Sequence, residues 1–228
     1  MLTLIPTPIG NLGDITLRAL EGLKAAAVIV CEDTRRTKKL LDHYGIGKQL
    51  LSFHEHSGTG RCAEIVRLLE DGKPVALVTD GGMPVISDPG FEIVREALKK
   101  NIRVEALPGP SAGITALAAS GLAPDRFSFF GFPPQKSAAR KKWLAELAER
   151  EETLIFYESP HRTVKCLADM AEVFGGREAV LAREISKIHE EYLRGTLPGL
   201  KEAVGQKKIL GECVILVAGK GRKRLFGH

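Results

Sequence analysis

Cysteine is scarce in this 228-residue chain, and the four present (Cys31, Cys62, Cys166 and Cys213) are scattered with no C-x-x-C pair. That spacing argues against a disulfide framework and against a zinc site, and it fits a reducing, cytoplasmic setting. No apolar run approaches the ~20 residues that a bilayer span needs. The opening "MLTLIPTPIG" has no basic n-region, so no secretory signal is expected. Two phosphate-binding signatures are missing as well. There is no G-x-x-x-x-G-K-[ST] and no G-x-G-x-x-G, which leaves a P-loop or a Rossmann dinucleotide site without support. Solenoid periods and low-complexity tracts are absent too.

What is present is an ordinary globular composition, 44% hydrophobic and 27% charged. The length suits one large domain or two of about 110 residues each, given typical domains of roughly 100–150 residues. The net charge of +5 is unevenly placed. The first 122 residues carry 14 basic and 14 acidic side chains, the remainder 19 and 14. The excess gathers in "QKSAARKKW" and in "GKGRKRLFG" near the end, which suits either a polyanionic partner or a solvated helix face and tail.

The first half alternates strands with helices. "LTLIPT", "AVIVC", "LLSFHEH", "PVALVTD" and "RVEAL" read as strands, with helices between them and after the last. Asp14 is the expected cap of the first helix, and Gly45 closes the second. Asp88 with Pro89 is the expected start of the helix through "GFEIVREALKK". The pattern breaks at "GLAPDRFSFFGFPPQ", a proline- and aromatic-rich stretch that suggests a boundary near 120–126. Beyond it come a helix bearing Trp143, Leu144 and Leu147, then the strand "TLIFYE" and a helix capped by Ser159 with Pro160 at its first position. The strand "EAVLAREI", the helix "LPGLKEAV" and the strand "GECVILVAG" complete the half. The expectation is an α/β chain of two tandem αβα domains, 1–122 and 123–228.

In open α/β sheets ligands bind beyond the carboxyl ends of the strands. The segments placed there are "TPIGNLGD", "CEDTRR", "TDGGMPVISDPG" and "PGPSAG", with "YESPHR", "REISKIHEE" and "VAGKG" from the second half. Their glycines and prolines bring bare backbone close to a ligand while restricting loop motion. "FHEH" would put His54 and His56 on one face of a strand, but two ligands with no third do not make a metal site. "GPSAG" matches the G-x-S-x-G elbow of serine hydrolases, with Ser111 as nucleophile. No oxyanion-donor segment precedes it, and a helix-capping role for Ser111 accounts for it equally.

Taken together and in order, "LIPTPIGNLGDITLRAL", "CEDTRRTKKLL", "VTDGGMPVISDPG", "LPGPSAGITAL", "FYESPHR", "REISKIHEE" and "GECVILVAG" resemble the tetrapyrrole-methylase superfamily. "TPIGNLGD", "EDTR" and "YESPHR" are similar to the ribosomal RNA small-subunit methyltransferase I branch. The resemblance implies two αβα domains with S-adenosylmethionine in the cleft between them, usually in a homodimer. It also implies methyl transfer to the ribose 2′-hydroxyl of a cytidine in the decoding region of small-subunit ribosomal RNA. The donor-binding residues it implies are Pro8, Ile9 and Gly10, then Asp80, Gly81, Gly82, Met83, Pro84 and Ile86, and then Ser111 and Ala112. From the second domain it implies Tyr157, Glu158 and Ile185. The branch usually reads D-A-G-T-P where this chain has Asp80-Gly81-Gly82-Met83-Pro84, so a threonine hydroxyl is replaced by a thioether. The alternative within the superfamily is a tetrapyrrole as methyl acceptor.

A sulfonium donor carries its methyl already activated, so the protein supplies position and electrostatics. A ribose hydroxyl is a poor acid and calls for a base or a nearby cation. The expected catalytic residues are Lys187, Glu158, Asp33 and Arg35; Glu32 and His161 are further candidates for the same step. Neutralising Glu158 would by itself account for Arg162, and capping its helix for Asp33. Arg140, Lys141, Lys142 and the run Arg222-Lys223-Arg224 are the expected phosphate contacts. No metal is expected.

Overall fold

The computed structural model describes residues 1–205 and 209–222. They form two compact units, dividing between Ser111 and Ala112. The first unit is a five-stranded sheet of β1 (Leu2–Leu4), β2 (Val28–Cys31), β3 (Gln49–Ser52), β4 (Val75–Leu77) and β5 (Val104–Ala106). The spatial order is β3-β2-β4-β1-β5, and every pair is parallel. Alternate residues face opposite sides of such a sheet. Leu2, Val30, Val75 and Leu77 pack on α3 (Gly58–Glu70) and α4 (Phe91–Lys99) through Ile65, Leu69, Ile93 and Ala97. Ile5, Ile29, Ala76 and Val78 face the other way, toward Ala19 and Leu23 of α1 (Leu17–Ala25) and Leu41 of α2 (Thr34–His43).

This winding has one consequence for function. The chain leaves β1 and β2 toward one face and β4, which lies between them, toward the other. The carboxyl end of β4 is therefore a switch point of the sheet, the usual ligand position in this architecture.

Two helix starts differ from the sequence expectation. Thr16, not Asp14, caps α1 and accepts the amide of Ala19 at 3.0 Å, while Asp14 ends a short 3₁₀ turn over Leu12–Asp14. Helix α4 begins after Gly90, not at Asp88-Pro89, because the chain turns there at φ +126°, where an L side chain is strained. A Cβ on Gly90 would also lie 2.6 Å from the Leu77 side chain.

The second unit opens with α5 (Ala112–Ser120) and continues with α6 (Ser137–Glu146), α7 (Pro160–Phe174) and α8 (Leu197–Gly205). Its sheet runs β6-β7-β10-β8-β9. These strands are β6 (Phe127–Phe129), β7 (Thr153–Glu158), β8 (Glu178–Arg183), β9 (Glu191–Thr196) and β10 (Cys213–Val217). Unlike the first sheet it is mixed: β6 and β7 are parallel, whereas β10 is antiparallel to both β7 and β8, and β9 to β8. Phe156, Leu181, Ile215 and Val217 pack on Leu144, Leu167, Met170 and Leu200 of α6, α7 and α8. Helix α5 covers the opposite face, where a Cβ on Gly113 would touch Ile155 and Tyr157.

The expected boundary near 120–126 lies inside this unit. Helix α5 is tied to its sheet by Arg194 of β9, whose guanidinium donates to the carbonyls of Ala119 (2.6 Å) and Ser120 (3.1 Å). β6 and β9, neither of them expected, fall in the aromatic stretch and from the last residue of "REISKIHEE" onward.

Candidate functional site

In the first unit the loop after β4 is fixed on two sides. Toward β1, Thr7 and Gly82 exchange both backbone hydrogen bonds (3.0 and 2.9 Å), and the Thr7 hydroxyl donates to the carbonyl of Thr79 at 2.9 Å. Toward β2, Arg36 of α2 holds Asp80 Oδ2 at 3.1 Å. Glycine matters here for the approach of loop to loop. A Cβ on Gly81 would stand 3.3 Å from the carbonyl oxygen of Pro8, and one on Gly82 3.6 Å from Ile9, at a φ of +97°. Gly109 brings the loop after β5 onto Pro6 in the same way, since its Cβ would lie 2.7 Å from the proline ring. Pro8, Ile9, Gly81, Gly82 and the Ser111 side of "GPSAG" are thus drawn to the carboxyl end of one sheet. Met83 and Pro84 follow in the same turn, and Gly10 and Ile86 are exposed beside it.

Two polar atoms there have no protein partner. Thr79 Oγ1 and Asp80 Oδ1 are both buried without a hydrogen bond. Leaving such atoms unsatisfied costs about 1–3 kcal/mol each, so their presence together at the switch point of the sheet suits a ligand's donors. The same loop holds Val85 at φ +76° and Ser87 at φ +64°. A β-branched residue in that region is a genuine outlier, and such strain concentrates at ligand-binding loops.

Asp33 and Arg35 are brought together, but chiefly with each other. Asp33 caps α2 by accepting the amide of Arg35 at 2.8 Å, and its carboxylate takes Arg35 Nε and Nη2 at 3.2 and 3.0 Å. These bonds hold its pKa down at about 2. Its neighbour Glu32 is shifted the other way: partial burial raises its pKa, with Asp80 adding to the effect and Arg36 opposing it. His54 and His56 do not share a strand face. They follow β3 in a turn where His54 Nδ1 accepts the amide of His56 at 3.2 Å.

At the second sheet, β6, β7 and β8 run the same way, so the segments after them share one end. Glu158 closes β7 and is wholly buried. Its Oε1 accepts the amide of Ser159 (2.8 Å) and its Oε2 takes Arg162 Nη2 (3.0 Å). Arg162 thus neutralises Glu158, and the carboxylate secures the start of α7. Ser159 caps that helix by backbone conformation alone, with no side-chain hydrogen bond to it. Tyr157 accepts the amide of Gly113 on its hydroxyl at 3.1 Å, which fixes the first turn of α5 beside Ala112.

After β8 the backbone turns through left-handed Glu184 and Ser186 on either side of buried Ile185. Lys187 Nζ sits 2.8 Å from Glu184 Oε1. The Glu184 carboxylate occupies the space where a Cβ on Gly211 would be, so Gly211 at φ +77° makes room for the pair. Glu184 was not among the expected residues; its spacing of three from Lys187 was the available signal. Three expected phosphate contacts are otherwise engaged. Arg140 is buried against Asp169, Lys141 pairs with Glu172 at 2.6 Å, and Arg222 holds Asp125 at 3.0 Å. Lys223 and Arg224 lie outside the described residues.

Sequence comparison gives the family. A family profile described as Tetrapyrrole (Corrin/Porphyrin) Methylases matches residues 1–201. The chain belongs to the tetrapyrrole methylase family. Within it, the chain is 46% identical over 222 residues to the ribosomal RNA small subunit methyltransferase I of Halalkalibacterium halodurans, covering 97% of this chain and 77% of that one. The enzyme of the same name from Thermotoga maritima is 45% identical, with 96% and 98% covered. Among solved structures, the methyltransferase CobJ superposes with a TM-score of 0.73 at 19% identity, covering 99% and 96% of the two chains. A Thermus thermophilus uroporphyrin-III C-methyl transferase complexed with S-adenyl homocysteine superposes with a TM-score of 0.66 at 18% identity, covering 95% and 96%. These two show the methylase fold. The strained elbow that a nucleophilic serine needs is not seen at Ser111, which is absent from the positive-φ residues.

Proposed function

We propose that this protein transfers a methyl group from S-adenosylmethionine to the ribose 2′-hydroxyl of a cytidine in small-subunit ribosomal RNA. The observation that carries the reading is the identity of 44–46% over nearly the whole chain to methyltransferases named for that RNA. The uroporphyrin-III and cobalt precorrin-4 methyltransferases share the fold at only 17–20% identity.

The polar atoms at the end of β4 support such a donor. The buried Thr79 hydroxyl and Asp80 Oδ1 lack partners, and hydroxyl and ammonium groups of the donor can supply them. We assign Pro8, Ile9, Gly10, Asp80, Gly81, Gly82, Met83, Pro84, Ile86, Ser111 and Ala112 to its binding, with Tyr157, Glu158 and Ile185 carried over from the family resemblance. When bound, S-adenosylmethionine supplies the activated methyl.

The chain's own part is to place the acceptor hydroxyl and stabilise charge on its oxygen as the proton leaves. Lys187, oriented by Glu184, is the residue we assign to that oxygen. Asp33 is a poor proton acceptor at a pKa of about 2, and both Glu158 oxygens are engaged. Asp33, Arg35 and Glu158 are therefore positioning residues. We further propose a cytoplasmic homodimer.

The test is incubation of small subunits lacking the modification with labelled S-adenosylmethionine, followed by mapping of the methylated nucleotide. Label on a cytidine ribose is expected; label on a base, or on added uroporphyrinogen and not on RNA, refutes the proposal. Lys187→Ala is expected to lower turnover while donor binding persists, and undiminished turnover would remove Lys187 from the reaction.

A further inference from the structure

Between β6 and α6 the chain makes a loop from Phe130 to Lys136 that no step above uses. The loop is rigidly held. The amides of Phe130 and Tyr157 extend the strand pairing by donating to the carbonyls of Ile155 and Gly131, each at 2.9 Å. Gly131 turns the chain at φ +62°. Two guanidinium groups then fix the carbonyls that follow. Arg162 donates to Pro133 at 2.7 Å, and buried Arg140 donates to Pro134 and Gln135 at 3.0 Å each.

Pro133 is buried by this anchoring, yet the ring just before it is 55% exposed: Phe132, whose inner edge meets the Tyr157 ring at 5.8 Å between centroids. Phe129 backs Tyr157 in turn at 4.8 Å. More than half of this apolar ring thus stays in water although its frame is fixed. The loop and the adjoining parts of the helices beside it are basic. Lys136, Lys142, His161 and Lys165 are exposed on the loop and on the two helices it joins or touches, and the only acid over 130–145 and 157–165 is Glu158, which is buried and paired. The large groove on the first unit, between α3 and α4, offers no such match. Glu55, Glu70, Asp88, Glu92 and Glu96 outnumber its Arg67, Arg95 and Lys100.

We propose that Phe132 is the platform on which an unstacked base of the RNA acceptor lies, with the surrounding cations on the adjoining phosphates. The proposal rests on the RNA reading above and deepens it. Sequence-specific and single-strand RNA recognition uses splayed bases on aromatic faces, because every base offers a π-face and the ring loses little freedom. Phe132 thus contacts a base, whereas Lys187 acts on the ribose.

The test uses the full chain and a short single-stranded RNA carrying 2-aminopurine at each position in turn. Wild type and Phe132→Trp are expected to quench the fluorescence at one position. Phe132→Ala is expected to lose that quenching and roughly 5- to 150-fold in affinity, the range spanned by base–aromatic stacking. Its salt dependence should be unchanged because the phosphate contacts remain. Calorimetry with S-adenosylhomocysteine should give the same affinity for all three proteins. Equal quenching and affinity in Phe132→Ala overturns the platform. So does a loss accompanied by a smaller sedimenting species, which would place the ring against a second copy of the chain. Ring-dependent binding by a wild type that methylates no small subunit would support the platform and sink the ribosomal RNA reading.

Discussion

Replacing Arg140 by methionine should unfold the second unit far more easily than an ordinary surface change. Arg140 is 2% exposed, with Nε and Nη2 on Asp169 Oδ2 at 2.8 and 2.6 Å and Nη1 on the Pro134 and Gln135 carbonyls. Asp169 is 7% exposed and keeps only the Ser137 hydroxyl at 2.9 Å and a distant Lys141 at 4.0 Å. The substitution leaves a buried carboxylate without its counter-charge and two carbonyls without donors. Breaking a buried pair from one side costs about 3–5 kcal/mol, about a fifth or more of a typical domain's stability of about 5–15 kcal/mol. At a urea dependence of about 2 kcal/mol per molar, the midpoint should fall by about 2 M. The chain's one tryptophan reports it directly. Trp143 lies one turn along the same helix and packs on Phe130 and Phe156. The double change Arg140→Met with Asp169→Leu should recover much of the loss, because it removes the orphaned charge. A single-variant shift below about 0.5 M, or a double variant no better than the single, would show that the pair does not secure this unit.

Three more outcomes follow from the same structure. Glu32→Gln should stabilise the fold at neutral pH. The raised pKa means that the ionised form is disfavoured in the folded state, so the gain should fade as pH falls through the ordinary carboxylate range, as urea midpoints against pH would show. Gly90→Ala should lower Tm by about 2–8 °C, since φ +126° and the Leu77 contact both oppose a side chain. All four cysteines are buried free thiols, and burial raises the pKa of each. An aromatic disulfide reagent should find none in the native protein and four in urea.

The first unit was legible because parallel strands covered on both faces read as short apolar runs, and "AVIVC" and "PVALVTD" are such runs. The strands missed in the second unit lack that signal. β9, "EYLRGT", is an edge strand with no fully buried residue, and β6 is three residues inside an aromatic stretch. The division of the chain was misread for a related reason: Pro124 and the Phe-rich stretch look like a linker, whereas α5 belongs to the later sheet through Arg194, a contact spanning over seventy residues. Pattern reading also mistook Arg140 for a surface cation, because its partner Asp169 lies on another helix. The glycine-rich loops were legible as places of close approach. Their first neighbours proved to be one another, and that cross-bracing by Thr7, Gly82, Arg36 and Asp80 is a matter of tertiary placement.

That bracing bears on how fast the protein engages a small molecule. With both flanks of the turn tied down, and Val85 and Ser87 already held in backbone states that free peptides seldom visit, little disorder remains to be lost at encounter. Capture should then proceed in a single diffusive step, with no slow second phase in stopped-flow traces as the donor concentration rises.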